Sequence, residues 1–228
     1  MTTVYYFSGT GHSFAVAQAL SDMLDCSIHK IGFKTENTAP GNTAVVVFPV
    51  YCQNIPAPVK SFLKNLQARH IALIATYGKI SYGNVLYEAQ KILQKDIIAG
   101  AYIPIGHTFL DGDTAFDRQF LQPIVQRICA PQTVRIPKTP KNPVSNVFPA
   151  LRSRMGVKIL KSGLCNNCGL CEKACPMGAI QNSKIRSSCI RCLHCVSICP
   201  QNALQYKNSR ILDTYLNNYH KEEYVLYL

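Results

Sequence analysis

Two cysteine-rich segments constrain the fold of this chain more than any other feature. CNNCGLCEKACP begins at Cys165, and CIRCLHCVSICP begins 24 residues later at Cys189. Both have the spacing C-x2-C-x2-C-x3-C-P, and together they contain eight of the eleven cysteines in the 228-residue chain. A module as short as residues 161–206 cannot bury enough apolar surface to fold alone, so we expect groups bound by the cysteines to form its core.

The crowding of the cysteines argues against zinc and against disulfide bonds. A zinc ribbon uses separated cysteine pairs around one tetrahedral ion, whereas three cysteines here share one short loop. A disulfide scaffold belongs in an oxidising compartment, and the first residues enter a strand-like segment without a signal-peptide core. The spacing favours iron–sulfur clusters, and the run resembles that of bacterial two-cluster ferredoxins.

That resemblance implies two [4Fe-4S] clusters with crossed ligation, because the fourth cysteine of each run ligates the other cluster. The ligands of one cluster would be Cys165, Cys168, Cys171 and Cys199. The ligands of the second cluster would be Cys189, Cys192, Cys195 and Cys175. Crossed ligation places the clusters close together, as a one-electron relay requires. His194, beside Cys195, is a candidate for tuning a cluster.

Residues 1–130 alternate between strand-like and helix-like segments. Apolar or β-branched runs lie at residues 3–7, 27–31, 43–50, 71–77 and 97–105. Helix-length segments lie between and after them, at residues 13–24, 57–66, 82–95 and 113–129. This alternation predicts an α/β domain with a parallel sheet.

The segment YFSGTGHS joins the first strand-like run to the first helix-length segment. Backbone N–H groups at a helix start, together with the helix dipole, bind phosphate without a basic side chain. The candidate phosphate-binding residues are Ser8, Gly9, Thr10, Gly11, His12 and Ser13. The segment lacks the Gly-Lys-Ser/Thr ending of a P-loop and the third glycine of the dinucleotide fingerprint.

This loop resembles the FMN phosphate loop of the flavodoxin family, with His12 where that family usually has Asn. The resemblance implies a flavodoxin-like, doubly wound, five-stranded parallel sheet whose ligand lies outside the carboxyl ends of the strands. It also implies that two later loops contact the isoalloxazine ring. Their candidate residues are Pro49, Val50, Tyr51, Cys52, Gln53 and Asn54 after the third strand, and Thr76, Tyr77, Gly78, Tyr82 and Gly83 after the fourth.

Two further segments complete the organisation of the chain. Residues 131–160 are rich in proline and are predicted to be a semi-rigid linker or a chain draped over a surface. Residues 207–228 have apolar positions at helical spacing, and we expect this tail to be a helix that packs back on the body.

The formal net charge of +12 falls to roughly +6 when about −2 is counted for each oxidised cluster and for the FMN phosphate. A moderately basic surface suits an acidic redox partner protein. No arginine-rich stretch favours nucleic acid, and no apolar run is long enough to span a membrane. We therefore expect a cytoplasmic protein, with a homodimer left open.

Taken whole, the chain resembles the flavodoxin–ferredoxin fusion proteins of anaerobes, which implies an electron carrier relaying electrons between FMN, two clusters and a redox partner. The alternative is an iron–sulfur flavoenzyme that reduces or oxidises a small substrate at the FMN, with Tyr51, Tyr82 or His107 as proton donor. A third hypothesis is a redox-responsive nucleic-acid-binding module. The residues leave open whether the chain is an enzyme.

Overall fold

The computed structural model describes residues 1–32, 42–110, 114–146, 149–182 and 184–228. The beginning of the helix expected at 113–129 and residues 147–148 of the proline-rich segment lie outside these ranges.

A five-stranded parallel sheet forms the centre of the N-terminal domain. Its strands are β1 (Thr2–Tyr6), β2 (Ser27–Lys30), β3 (Thr43–Pro49), β4 (His70–Tyr77) and β5 (Ile97–Pro104). They are ordered β2-β1-β3-β4-β5 with parallel neighbours, which is the flavodoxin-like order. β3, β4 and β5 are apolar almost throughout because both faces of the sheet are covered. The predicted fold class is confirmed.

Helices cover the sheet in two layers. They are α1 (His12–Leu24), α2 (Ala57–Asn65), α3 (Val85–Leu93) and α4 (Gln122–Cys129). Along β3, Val46 and Phe48 face the core shared with α2 and α3, whereas Val45 and Val47 face the core shared with α1 and α4. This alternation follows from the period of two in a strand.

The helix predicted at residues 113–129 is shorter than expected. A 3-10 turn, Arg118–Leu121, precedes α4, and the Asp117 carboxylate accepts a hydrogen bond from the N–H of Gln119 (2.9 Å). Pro123 lies in the first turn of α4, where its missing N–H has no cost, whereas in a helix interior it would break the hydrogen-bond pattern.

The C-terminal module is built on two small antiparallel sheets. Its elements are α5 (Pro149–Gly156), β6 (Val157–Lys161), α6 (Leu170–Lys173), β7 (Ile180–Gln181), β8 (Lys184–Ile185), α7 (His194–Ser197) and β9 (Leu204–Asn208). β6 pairs with β9, which holds the two ends of the module together, and β7 pairs with β8.

The first part of the proline-rich segment, residues 131–146, is fastened to the N-terminal domain. Ile136 is buried, and its N–H donates to Gln90 Oε1 (2.9 Å). Lys141 Nζ lies 2.7 Å from Glu88 Oε1. These contacts make the segment a chain draped over a surface and not a free spacer.

The tail contributes a helix and a strand. α8 (Arg210–Asn218) is followed by β10 (Val225–Tyr227), which pairs antiparallel with β5. β10 thus adds a sixth, antiparallel strand beside the five parallel strands that were predicted, and the tail is helical only in its first part. Among the described residues, no helix is long and apolar enough to cross a membrane.

Candidate cofactor sites

A cavity, here called the sheet-edge cavity, opens at the carboxyl ends of β3, β4 and β5, where open parallel sheets bind ligands. It comprises about 870 Å³ of atom-free space, part of it open to solvent. Nine of the predicted flavin-site residues line it, namely His12, Pro49, Val50, Tyr51, Cys52, Gln53, Thr76, Tyr77 and Gly78. The loop after β5 and α8 provide further walls.

The loop before α1 is a tight turn that leaves the first turn of the helix without a side-chain cap. Gly11 has a φ of 97°, which glycine adopts readily, and its N–H donates to the Ser8 hydroxyl (3.1 Å). The Ser13 and Thr76 hydroxyls are hydrogen-bonded (2.8 Å), which ties the loop to β4. Because a glycine precedes α1, no side chain at that position caps the first turn, and its N–H groups can face an anion. Of the predicted phosphate-loop residues, His12 lines the sheet-edge cavity. The others do not line it; they are Ser8, Gly9, Thr10, Gly11 and Ser13.

The loop after β3 is a tight turn that also holds the proline-rich segment. Cys52 and Gln53 have φ angles of 49° and 60°. Gln53 Oε1 accepts a hydrogen bond from the N–H of Asn142 (2.9 Å), and Asn54 Nδ2 donates to the Ser145 carbonyl (2.9 Å). Asn54 therefore binds the proline-rich segment and does not line the cavity.

Tyr82 and Gly83, both predicted to contact the flavin, do not line the sheet-edge cavity. The Tyr82 ring stacks on Tyr102 with centroids 4.0 Å apart, and its hydroxyl donates to Glu223 Oε2 (3.2 Å). A Cβ on Gly83 would lie 2.7 Å from Cβ of Gln53, so glycine is needed there for close packing of the two loops. Tyr82 thus contacts the tail, and Gly83 packs against the loop after β3.

His107 lines the sheet-edge cavity, although no sequence motif marks it as a binding residue. Its Nδ1 accepts a hydrogen bond from the N–H of Phe109 (3.2 Å), so a neutral ring carries its hydrogen on Nε2. Burial, with a smaller contribution from His12, lowers the pKa of His107 to about 4. The ring packs on Gly78, where a Cβ would lie 2.2 Å from its Cδ2. The signal for His107 is its position just after β5, where a third loop passes this edge of the sheet.

Two further cavities lie in the C-terminal module, and four cysteines line each of them. One, here called the far cysteine cavity, is lined by Cys165, Cys168, Cys171 and Cys199. The other, the near cysteine cavity, is lined by Cys175, Cys189, Cys192 and Cys195. Each cavity receives three cysteines from one run and the fourth from the other run, which is the crossed arrangement that the repeat implies.

The sulfur atoms of these cavities fit iron–sulfur clusters. Burial, followed by neighbouring thiols, raises the pKa of Cys192 to about 12 and that of Cys195 to about 11. Several thiolates cannot ionise this close together without compensating positive charge, which iron supplies. Backbone N–H groups of Ala179 and Ala203 donate to the Cys175 and Cys199 sulfurs, both at 3.3 Å, and such bonds also stabilise cluster thiolates.

The three cavities lie in series because they share walls. Ile190 lines both the sheet-edge cavity and the near cysteine cavity. Ile159, Ile180 and Ile185 line both the near and the far cysteine cavities. Neighbouring cavities are therefore adjacent and have isoleucine side chains in common at their boundaries.

The phosphate loop touches the cysteine run directly. A Cβ on Gly9 would lie 2.1 Å from the Cys192 carbonyl oxygen, so the two backbones meet with no room for a side chain. His194 Nδ1 donates to the Gly9 carbonyl (3.0 Å), and Lys30 Nζ lies 3.0 Å from His194 Nε2. His194 thus joins the two modules by hydrogen bonds.

Comparison with known proteins identifies the C-terminal module. Residues 160–181 and 183–205 each match the family described as 4Fe-4S binding domain. The two matches contain all eight cysteines of the two cavities, and the prediction of two [4Fe-4S] sites is confirmed. An uncharacterized protein of Methanocaldococcus jannaschii is 42% identical over 48 residues, which are 21% of this chain and 20% of that protein. The chain thus spans about a fifth of the length of that relative.

The N-terminal domain overlaps solved flavodoxin structures. A short-chain flavodoxin associated with a bacterial microcompartment gives a TM-score of 0.46 at 17% identity, over 57% of this chain and 97% of that chain. A Bacteroides uniformis protein described as a flavoprotein gives 0.44 at 16% identity, over 55% and 97%. Both TM-scores lie below 0.5, so the fold assignment rests on the strand order of this chain.

Proposed function

We propose that this protein transfers electrons between an FMN at the sheet-edge cavity and two [4Fe-4S] clusters, one in each cysteine cavity. FMN exchanges one or two electrons and each cluster exchanges one, so joining them matches two-electron to one-electron chemistry. Crossed ligation would assign Cys175 to the near cluster and Cys199 to the far cluster. Because the sites depend on free thiolates, the protein belongs in a reducing compartment such as the cytoplasm.

The observation that carries the proposal is the shared wall at Ile190, which lines the sheet-edge cavity and the near cysteine cavity. Tyr51 lies at the same boundary, where burial and the neighbouring Cys192 thiol raise its pKa and keep its hydroxyl protonated. An electron would therefore pass from one cofactor to the next across side chains and not across bulk water.

The residues around the sheet-edge cavity fit FMN in chemistry as well as in position. The Ser8 and Thr10 hydroxyls and the first-turn N–H groups of α1 would hold the phosphate. Residues 49–53 and 76–78 would hold the isoalloxazine ring, with Tyr51 and Tyr77 as aromatic walls. His107, neutral at physiological pH, would offer its Nε2–H as a hydrogen-bond donor.

Cofactor analysis of two glycine variants tests this assignment. After anaerobic purification, the wild-type protein should contain one FMN and about eight iron and eight sulfide ions per chain. Gly11→Val should lose most of the FMN while keeping the iron, because a β-branched residue is strained at a φ of 97°. Gly163→Val is the control, since a Cβ at Gly163 would meet open space. Zinc in place of iron, or no bound flavin in the wild type, would overturn the proposal.

A second candidate function is oxidation or reduction of a small substrate at the sheet-edge cavity, and His107 favours it. With its pKa near 4, His107 has no proton to give at neutral pH, but a neutral imidazole that donates a hydrogen bond from Nε2 can polarise a carbonyl group of a substrate beside a flavin. Turnover of a quinone by the reduced protein separates the two functions. A large loss of this activity in His107→Gln, with electron transfer to the clusters unchanged, would favour the enzyme, whereas equal activities would favour the carrier.

A further inference from the structure

The sheet formed by β6 and β9 has one face toward the cysteine cavities and one toward solvent. Lys158 lies opposite Lys207, and Leu160 lies opposite Gln205. All four side chains are exposed, with Leu160 at 48%. Because side chains alternate along strands and opposite residues share a face, these four form one surface, here called the outer face.

The inner face of the same sheet closes the cluster sites. Ile159 lines both cysteine cavities, and Leu204 lines the far one. The outer face is thus separated from the cysteine cavities by a single sheet. A protein docked there would lie closer to both cysteine cavities than one docked on the opposite side of the N-terminal domain.

The two lysines of the outer face repel each other, which lowers the stability of the protein on its own. Like charges directly opposite each other on neighbouring strands are destabilising, yet Lys158 and Lys207 are paired in this way. Glu172 is the one acidic residue in the sequence from 157 to 208, and its carboxylate accepts the Asn182 N–H (3.0 Å). The basic residues of this stretch are Lys158, Lys161, Lys173, Lys184, Arg186, Arg191 and Lys207.

Apolar side chains accompany these lysines. On the outer face the apolar side chain is Leu160; elsewhere in the module, Leu164 before the first cysteine and Leu170 at the start of α6 are 66% and 42% exposed. The outer face thus combines an exposed leucine with two lysines and a glutamine, and apolar side chains surrounded by polar and charged ones are usual at protein–protein interfaces. The sign of the charge indicates an acidic partner, because complementary potentials steer association.

We propose that the outer face docks an acidic protein carrying a one-electron acceptor or donor group, which exchanges electrons with the far cluster. This rests on the proposed function, since it requires clusters in the cysteine cavities. In each encounter one electron passes, so one group is oxidised by one electron and the other is reduced by one. No covalent bond forms or breaks. Lys158 and Lys207 position the partner and take no part in ligation.

Binding of an acidic two-cluster ferredoxin to the anaerobic holoprotein tests the proposal. The double variant Lys158→Gln/Lys207→Gln should raise the Kd about tenfold at low ionic strength, the effect expected for the loss of two exposed ion pairs. High salt should abolish the difference in Kd between variant and wild type. The matched control is Lys60→Gln/Lys64→Gln on α2, which should leave the Kd unchanged. Carbodiimide cross-linking followed by peptide mapping should join carboxylates of the probe to Lys158 or Lys207.

Several outcomes would overturn the docking proposal. These are an unchanged Kd in Lys158→Gln/Lys207→Gln, equal weakening in the α2 control, or cross-links confined to the N-terminal domain. Duplex DNA that bound the wild type more tightly than the ferredoxin, and lost this binding in Lys158→Gln/Lys207→Gln, would indicate a nucleic-acid surface instead. Failure of the proposed function is distinguishable, because it would appear as missing iron or flavin before any partner is added.

Discussion

At the scale of residues, Gly9 and Gly11 stand two positions apart in one loop but are constrained for different reasons. Gly11 needs a φ of 97° and has open space around it. Gly9 is constrained by close packing, because its backbone lies against the Cys192 carbonyl. The first glycine allows the modules to touch, and the second shapes the phosphate loop.

Gly9→Ala should therefore slow electron transfer between the modules. Its Cβ would lie 2.1 Å from the Cys192 carbonyl oxygen, a backbone atom that can yield only if the cysteine run shifts. We expect the rate per bound FMN to fall about tenfold, as misplacement of reacting groups commonly produces losses of this order or more. Transient absorption measures this rate. Gly163→Ala is the control, and equal rates in Gly9→Ala and wild type would contradict the docked arrangement.

His107 predicts a dependence of stability on pH. Its pKa falls from about 6.5 in an unfolded chain to about 4 in the folded protein, because burial disfavours the charged ring. This stabilising contribution is complete above about pH 6.5 and is lost as the pH falls toward about 4. Between pH 7 and pH 5 it amounts to roughly 2 kcal/mol.

Anaerobic urea unfolding at pH 7 and pH 5 checks this contribution. His107→Gln should lose less unfolding free energy over this range than wild type, because glutamine does not titrate. His29→Gln, at an exposed position on β2, should behave like wild type. The same loss in all three proteins would show that His107 is not the group responsible.

Sequence patterns identify some of the residues of the cofactor sites but not the tertiary contacts of others. The cysteines and the loop from Ser8 to Ser13 follow local spacing rules, so the sequence alone identifies them. The sequence offers His107 only as a candidate proton donor of the alternative enzyme, because its burial and its approach to His12, almost a hundred residues away, follow no local pattern. Position along the chain predicts that Tyr82 contacts the flavin, whereas in the structure its hydroxyl donates to Glu223 in the tail.

At the scale of elements, the tail is the part that most changes the expected domain. β10 extends the sheet beyond β5, and α8 places Leu212, Tyr215 and Leu216 in the wall of the sheet-edge cavity. Helical periodicity in 211–219 predicted α8. A three-residue antiparallel strand has too few positions to give a pattern, and its position depends on the open edge of β5.

Tyr77→Phe should loosen the tail without disturbing the sheet. The Tyr77 hydroxyl donates to the Glu223 carbonyl (2.8 Å) and accepts from the Glu223 N–H (2.9 Å). Losing both bonds should cost about 1–2 kcal/mol of unfolding free energy and speed FMN release, because α8 then covers the cavity less firmly. Fluorescence of released FMN measures that rate.

Tyr87→Phe is the matched control. Tyr87 lies on α3, and its ring is 5.5 Å below Lys91 Nζ, a contact that phenylalanine retains. Similar FMN release from both variants would mean that the tail does not close the cavity.

At the scale of the whole molecule, the chain places three cavities next to one another, with lining residues shared between neighbours. The sequence predicts two cofactor-binding modules but not their relative position. A free linker of residues 131–160 would allow the two modules many relative positions. Contacts such as Lys141 with Glu88 and His194 with Gly9 remove that freedom. The arrangement thus depends on tertiary contacts that have no counterpart in the local sequence.

Deazaflavin-sensitised laser-flash reduction of the holoprotein tests electron transfer within one chain most directly. After the flash reduces the bound FMN, flavin absorbance should recover while cluster absorbance bleaches, with one shared first-order rate constant. That constant should not change when the protein is diluted tenfold, since donor and acceptor belong to the same chain. A rate proportional to protein concentration, or a reduced flavin that leaves the clusters unchanged, would contradict the account.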